Sequence, residues 1–556
     1  MAANVGALVL LVSVLAAPAV WAAPSDGLPT LSQLPESPDA PSEPPFNSPS
    51  PTSLVQVRQL EVRGSTIFGP EILNPIVQPL QGRTVSLQEL SAAVDAISRL
   101  YAERGYITSR AVLDFESLNT ETTRIQVIEG GIEEIRVEGT QRLNPNYVRR
   151  RIQLGTGRPL NTSRLEEQLR LLKIDPLLES VEASLQAGTG VGQSILIIQV
   201  IEAKPFNAEV GFNNYSSPSI APQQVNVALS YQNLTGVGDE IAFGYGVGLN
   251  LADFPRAALN LYDASYRLPL NPLGGALQLR TFQSSARITD RDFAAFGIRS
   301  RGEFYEINYR QPLIRSLREE FALSLGFTVQ DSQTFLFENF PNPFGIGPDE
   351  NGFSRTRVLR FSQDYVRRDT QGAWALQSQV SLGLGILDAT ENPGSIPDGE
   401  FFSWLGQVQR FQQLGNDYQL IVRGALQLTP DPLLPSQQFF LGGGQALRGY
   451  RPNVRAGDNG LSLSVEGRIP VLRNALGDPT LQLAPFVETG YVWNTPDNPN
   501  FLQGQRLLGD IGLGILWQPL AALNLRLDFA LPFVDIEDRR DSLQDDGIYF
   551  SVSYGL

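Results

Sequence analysis

From Phe206 to Leu556 the chain alternates apolar and polar residues with a period of two, and no other feature constrains its fold as tightly. Period two belongs to a β-strand, whose successive side chains point to opposite faces. Ile511, Leu513, Ile515 and Trp517 share one face, against Gly512, Gly514 and Gln518. Leu523, Leu525, Leu527 and Phe529 alternate with Asn524, Arg526 and Asp528, and Leu461, Leu463 and Val465 with Ser462, Ser464 and Glu466. Phe321, Leu323, Leu325 and Phe327 oppose Ala322, Ser324 and Gly326, while Ile548, Phe550, Val552, Tyr554 and Leu556 line one side of the last segment. Charged residues make up only 18% of the chain, below the ordinary ~25%, so much of the surface is expected to face something other than water. Beyond the extreme N-terminus no apolar run reaches the ~18 residues of a membrane-spanning helix. A lipid-facing chain without such a helix satisfies its backbone only as a closed barrel. At roughly 22 residues per strand and connection, the region holds about sixteen antiparallel strands, apolar toward lipid and polar toward a wet lumen. A soluble β-sandwich also alternates, but the length of the alternating region and the secretory N-terminus described next both go against it.

Val5 to Val20 is almost continuously apolar, and Val20-Trp21-Ala22 before Ala23-Pro24 fits a small-residue cleavage site. Residues 1–22 are therefore expected to be a secretory signal peptide. Residues 23–53 are so rich in proline that neither helix nor sheet can form, which predicts an extended tether. Within the alternating region, Tyr266-Arg-Leu-Pro269 and Tyr309-Arg-Gln-Pro312 close two strands alike, and Ile469-Pro470 and Gln518-Pro519 close two more. Proline has no N–H for a ladder, so these mark strand ends. They fall at every second boundary, as short periplasmic turns should. The longer polar stretches Asn339 to Ser354 and Ala389 to Glu400 are then outer loops.

Between tether and barrel the chain repeats itself at an offset of about 75 residues. Leu60, Val62 and Gly64 align with Ile135, Val137 and Gly139; Gly82-Arg83 with Gly157-Arg158; and Ser86 with Asn161, both good helix N-caps. Ser86 and Glu89 have the spacing of a capping box. Leu90, Val94 and Ile97 align with Leu165, Leu169 and Leu172, one apolar stripe on each of two helices. Strands follow at Ile107 to Phe115 and Thr123 to Val127 in the first copy, and at Val181 to Leu185 and Ile195 to Ile201 in the second. Each copy reads strand, helix, helix, strand, strand (βααββ), giving α+β domains at 54–130 and 131–203 ahead of a barrel at 204–556.

YAERGYITSR at 101–110 and RIQVIEGGIEEIRVEG at 124–139 resemble the first polypeptide-transport-associated (POTRA) domain of two-partner secretion transporters of the haemolysin secretion/activation type. Asp114-Phe115 departs from that family, which has a proline-glutamine pair there. Asn233 to Asp239 resembles the first periplasmic turn of the same superfamily. The resemblance implies an all-β transmembrane barrel in the cell outer membrane, preceded by two POTRA domains in the periplasm.

Gly442-Gly-Gly-Gln-Ala-Leu447-Arg448-Gly449-Tyr450, between the eleventh and twelfth expected strands, resembles the family's apolar-Arg-Gly-aromatic tetrad on a loop that folds into the lumen. Phe486-Val-Glu488-Thr-Gly490, on the thirteenth, resembles its Phe-x-Asp-x-Gly element, with glutamate in place of aspartate. Outward positions there are Leu483, Val487 and Tyr491, so Phe486, Glu488 and Gly490 face inward. An Arg448–Glu488 pair in partly desolvated surroundings is a charge-assisted contact that would pin the loop. The other inward charges, Arg423, Glu466, Arg468, Arg526 and Asp528, are expected to give the wall its polarity and a role in selectivity.

The resemblance predicts a porin-like pore that secretes an unfolded, β-rich partner protein, captured by the POTRA domains and gated by the Arg448 loop. An assembly factor that inserts other barrels is the alternative within the superfamily. Histidine and cysteine are both absent, which excludes thiol and imidazole nucleophiles and the usual zinc sites. Lys173 and Lys204 are the only lysines, and both precede the alternating strands that begin at Phe206. No enzyme activity, metal or cofactor is therefore expected. The net charge of −15 argues against nucleic-acid partners. Outer-membrane lipid and the secreted protein are the expected partners of a monomer.

Overall fold

The computed structural model describes residues 54–250, 257–415, 417–502 and 504–556. The expected signal peptide and tether lie outside the described residues.

The N-terminal unit contains two similar α+β copies. In the first, β1 (Leu54–Val57) pairs with β3 (Arg83–Ser86), and β2 (Gln59–Arg63), β5 (Thr122–Ile128) and β4 (Arg110–Asp114) form a sheet in the order β2-β5-β4. Helices α1 (Pro70–Val77) and α2 (Leu87–Glu103) cover its core. The second copy has a sheet in the order β6 (Gly131–Glu138), β8 (Gln193–Glu202), β7 (Leu178–Ala187), with helices α3 (Pro145–Gln153) and α4 (Thr162–Lys173). The expected capping box forms: Ser86 Oγ accepts from Glu89 N, and Glu89 accepts from Ser86 N. Asn161 caps α4 without a reciprocal partner, its side chain accepting from Ser163 N and Arg164 N. Leu90, Ile97, Leu165 and Leu172 are buried, as the stripes require. One strand is shorter than expected. β4 begins at Arg110 rather than Ile107, and at Phe115 a single 3₁₀ turn takes over, capped by the Asp114 side chain.

The second unit is a closed barrel of sixteen long antiparallel strands. In chain order they are β9 (Phe206–Asn213), β10 (Gln223–Gln232), β11 (Glu240–Leu249), β12 (Ala257–Pro269), β13 (Ala276–Arg287), β14 (Arg299–Arg315) and β15 (Glu319–Leu336). After the two-residue β16 (Phe340–Pro341) come β17 (Phe353–Asp369), β18 (Gly372–Gly383), β19 (Phe402–Gln413) and β20 (Gln419–Leu428). Two short loop strands, β21 (Phe439–Leu441) and β22 (Arg455–Gly457), pair with each other. The wall is completed by β23 (Asn459–Arg473), β24 (Pro479–Trp493), β25 (Leu507–Leu520), β26 (Leu523–Pro532) and β27 (Ile548–Gly555), which pairs back onto β9. Phe243, Leu279, Ile307, Leu325, Trp374, Leu463, Ile511 and Trp517 are exposed on the outer face, while Asp528, Glu466 and Thr356 are buried within. That is the distribution a lipid-facing wall demands.

The prolines behave differently from expectation at three of four places. Pro269 ends β12, but Pro312, Pro470 and Pro519 lie inside β14, β23 and β25. Each sits where the register shifts, between Pro312 and Ile314, Pro470 and Leu472, and Trp517 and Leu520. The residues skipped include Leu313 and Val471, each next to its proline, and Pro519 itself at the third place, so the strand slips at the proline and continues instead of ending.

Candidate functional site

The connection between β20 and β23, residues 429–458, enters the barrel. Its stalk is the β21–β22 hairpin, and its far end reverses where Gly442 and Gly443 adopt φ of +100° and +116°, backbone that residues with a Cβ rarely occupy. Gly443 N–H donates to Tyr450 O at 3.1 Å, closing the tip around residues 444–449. Leu441, Leu447, Tyr450 and Val454 then pack against Val492 of β24, Leu508 of β25 and Ile536. Apolar contact thus seats the tip, and polar groups fix it.

Arg448 is 3% exposed. Its backbone N–H donates to Glu488 Oε2 at 2.8 Å, and its Nε and Nη2 reach Oε2 and Oε1 at 3.2 and 2.8 Å. This is the bidentate fork that matches guanidinium to carboxylate. Nη1 donates to Glu466 at 2.9 Å and to Asp528 at 3.1 Å. The guanidinium carbon stands 3.3 Å from the centre of the Phe486 ring. Gly490 leaves the room this requires: a Cβ there would lie 2.5 Å from Leu441 Cδ2 and 2.8 Å from Leu447 Cδ1. All seven residues read from the two sequence elements, Leu447, Arg448, Gly449, Tyr450, Phe486, Glu488 and Gly490, therefore meet at one place.

Four of the five wall charges belong to the same cluster, so their reading as general wall polarity is too weak. Arg526 bridges Glu466 at 2.8 Å and Asp528 at 2.6 Å, and Arg468 binds Glu466 at 3.1 Å. Arg423, on β20, is placed opposite Ser464 and joins none of these ion pairs. Three participants escaped the sequence reading. Asp510, fully buried, accepts from Gly449 N–H at 2.9 Å. Ser464 donates to Glu488 at 2.9 Å, and the Tyr549 hydroxyl donates to Tyr450 O at 2.6 Å. The alternation carried the signal for each: Asp510 shares the inward face of Gly512 and Gly514, Ser464 that of Glu466, and Tyr549 opposes the outward Ile548 and Phe550. Among the described residues no cluster of ligating side chains could hold a metal.

In the N-terminal unit β4 and β7 each end a three-stranded sheet. Glu129 ties the turn after β5 to the start of the first copy, accepting from Thr66 N–H and Oγ1, Ile67 N–H and the Tyr101 hydroxyl. Burial raises the pKa of this carboxyl, but those four donors outweigh burial and hold it below the usual glutamate value.

The family described as haemolysin secretion/activation protein ShlB/FhaC/HecB matches residues 192–515, and the ShlB-type POTRA domain matches residues 55–130. The outer membrane transporter CdiB of Escherichia coli is 25% identical over 416 residues, 73% of this chain and 67% of that protein. The hemolysin transporter protein ShlB of Serratia marcescens is 22% identical over 426 residues, 74% of this chain and 72% of its own. The solved structure of CdiB from Escherichia coli superposes with a TM-score of 0.69 at 20% identity, covering 92% of this chain and 93% of that one.

Proposed function

We propose, on the premise that this chain belongs to the haemolysin secretion/activation protein family ShlB/FhaC/HecB, that the long loop is the gate of the pore and Arg448 its latch. As a member of that family the chain is a two-partner secretion transporter of the outer membrane, not an enzyme, with its POTRA domains in the periplasm and a secreted protein as its partner. The finer reading concerns how that partner passes. It arrives unfolded and adds a strand to a free sheet edge, β4 or β7, where backbone hydrogen bonds supply affinity with little demand on sequence. It then threads the lumen as the loop tip leaves its seat, and folds outside. The transporter acts as a monomer whose apolar belt is solvated by outer-membrane lipid.

The observation that carries the gating reading is the burial of Arg448 among Glu488, Glu466 and Asp528, contributed by three different wall strands. A loop residue held by three strands occupies the lumen, and the passage of a chain requires the contact to break. A two-state loop of this kind responds to any ligand that favours the undocked state. Planar-bilayer recordings paired with secretion assays on Arg448→Ala and Glu488→Ala test it. Altered conductance and secretion in both variants are expected; parental behaviour in both rejects the latch.

A further inference from the structure

The loop that carries Arg448 is drawn in at its base. Asp458, fully buried, is the last loop residue before β23. Its carboxylate accepts from five groups: Leu433 N–H at 3.0 Å, Gln438 Nε2 at 3.4 Å, Thr495 N–H at 2.9 Å, Thr495 Oγ1 at 3.1 Å and Asn498 Nδ2 at 2.9 Å. Leu433 lies 25 positions before Asp458, so this one side chain joins the descending and ascending legs of the loop. Through Thr495 and Asn498 it also joins both legs to the connection between β24 and β25. All five donors are neutral, so the carboxylate is held by geometry rather than by a counter-charge, a setting in which every donor counts.

Two further contacts reinforce the same level. Gln427 Nε2 donates to Gln437 O at 3.0 Å and to Asp458 O at 2.9 Å, again spanning the legs. The Gln437 side chain reaches the wall several strands away, donating to Gln330 of β15 at 3.3 Å and Thr356 of β17 at 3.2 Å and accepting from Arg360 at 3.2 Å. Leu433 is buried with Val358 of β17 and Phe401. The neck therefore grips β15 and β17, while the tip grips β23, β24, β25 and β26.

We propose that Asp458 is a positioning residue that clamps the neck of the loop, making the neck a fixed hinge so that only residues 439–457 swing when the tip releases. This rests on the gating reading above and adds where the moving part begins. A fixed neck stays closed throughout secretion, whereas a neck that opened would free the whole loop.

The absence of cysteine from the chain makes the test clean. Gln438 and Asp458 extend the β21–β22 register, in which Phe439 faces Gly457, so in Gln438→Cys/Asp458→Cys the clamp between the two legs is lost when reduced and replaced by a covalent one when oxidised. Bilayer recordings of the full-length protein are expected to show about a tenfold higher open probability for the reduced form, a change of about 1.4 kcal/mol. Oxidation should restore the parental closed level while secretion continues. Asp458→Asn, which keeps the volume and one acceptor oxygen, is expected to shift the open probability in the same direction by less, and serves if the cysteine pair disturbs folding. Secretion blocked by the disulfide overturns the proposal, because the neck would then have to move. So does a parental open probability in both the reduced pair and Asp458→Asn. Arg448→Ala in the same recordings separates the two readings: if it is silent while the neck variants open, the latch falls and the clamp stands; the reverse pattern removes the clamp alone.

Discussion

Arg448→Ala and Glu488→Ala remove opposite ends of one contact, yet the cluster predicts unequal effects. Without Arg448, Glu466 keeps Arg526 at 2.8 Å and Arg468 at 3.1 Å, and Asp528 keeps Arg526 at 2.6 Å. Glu488 keeps two neutral donors, the Ser464 hydroxyl at 2.9 Å and the backbone N–H of position 448 at 2.8 Å, and no counter-charge. One buried carboxylate is stranded, and breaking a buried pair in this way costs about 3–5 kcal/mol. Without Glu488, Arg448 still holds Glu466 and Asp528 at 2.9 and 3.1 Å. The loss is then that of hydrogen bonds to a charged group, about 1.5–3 kcal/mol. Arg448→Ala should therefore raise the open probability by on the order of a hundredfold or more, and Glu488→Ala by roughly tenfold to a hundredfold, at 1.4 kcal/mol per decade. The double variant strands nothing, so its effect should fall short of the sum by about 0.5–3 kcal/mol. Arg448→Lys should not rescue, since a point charge cannot fork onto Glu488 while reaching Glu466 and Asp528. Single-channel recording of all four variants in one lipid reads these differences directly. Equal single effects that simply add would show that Glu488 is not the carboxylate Arg448 neutralises, and the reasoning would fail.

Gly490→Ala sets a Cβ against Leu441 and Leu447, an overpacking worth about 1–3 kcal/mol. It should unseat the tip and raise conductance while heat-modified gel mobility still reports a folded barrel. Tyr549→Phe loses the donor to Tyr450 O, about 1 kcal/mol, and a small rise in open probability is the expected reading. In the N-terminal unit, the folded-state pKa of Glu129 is depressed below 4.5. Its stabilising contribution is therefore present above that value and is lost as pH falls through the lower folded value. Hydrogen exchange around Thr66 in the full chain should be faster in Glu129→Gln than in the parent at neutral pH, and the two should converge in acid; a constant difference refutes the assignment. Single cysteines at Phe115→Cys beside β4 and Leu185→Cys on β7 should trap a cysteine-bearing partner in transit, and failure at both sites sinks strand addition.

Away from the bulges, period two told which side of the wall the residues of β23 to β27 occupy, because the pleat allows only two directions. The count of about sixteen strands came from the length of the alternating region at roughly 22 residues per strand and connection. The bulges at Pro312, Pro470 and Pro519 were not legible in the same way. A proline marks a missing N–H but does not say whether the strand stops or slips by a residue, and that depends on the partner strand. The capping box at Ser86 and the stripe at Leu90 and Ile97 were legible because both are local, decided within a turn or two of helix.

The cluster around Arg448 marks where local reasoning stops. Knowing that Glu466, Glu488, Asp510 and Asp528 point inward does not say which of them meet, because that depends on depth and on neighbours around the circumference. Asp510 and Glu488 stand directly opposite each other on β25 and β24, and Asp528 lies one strand further on, a relation that only the register fixes. The tip supplies the rest: with Arg448 delivered among them, three inward carboxylates on separate strands become ligands of one guanidinium. In a site with little water such contacts are strong, and the same contacts weaken wherever water enters, since their strength scales inversely with the local dielectric. A hydrated polypeptide arriving in the lumen therefore lowers the cost of breaking the contact it must displace. Added salt should then raise the open probability far less in the resting pore than in one engaged by its partner, because ions screen a buried cluster poorly and a wet one well.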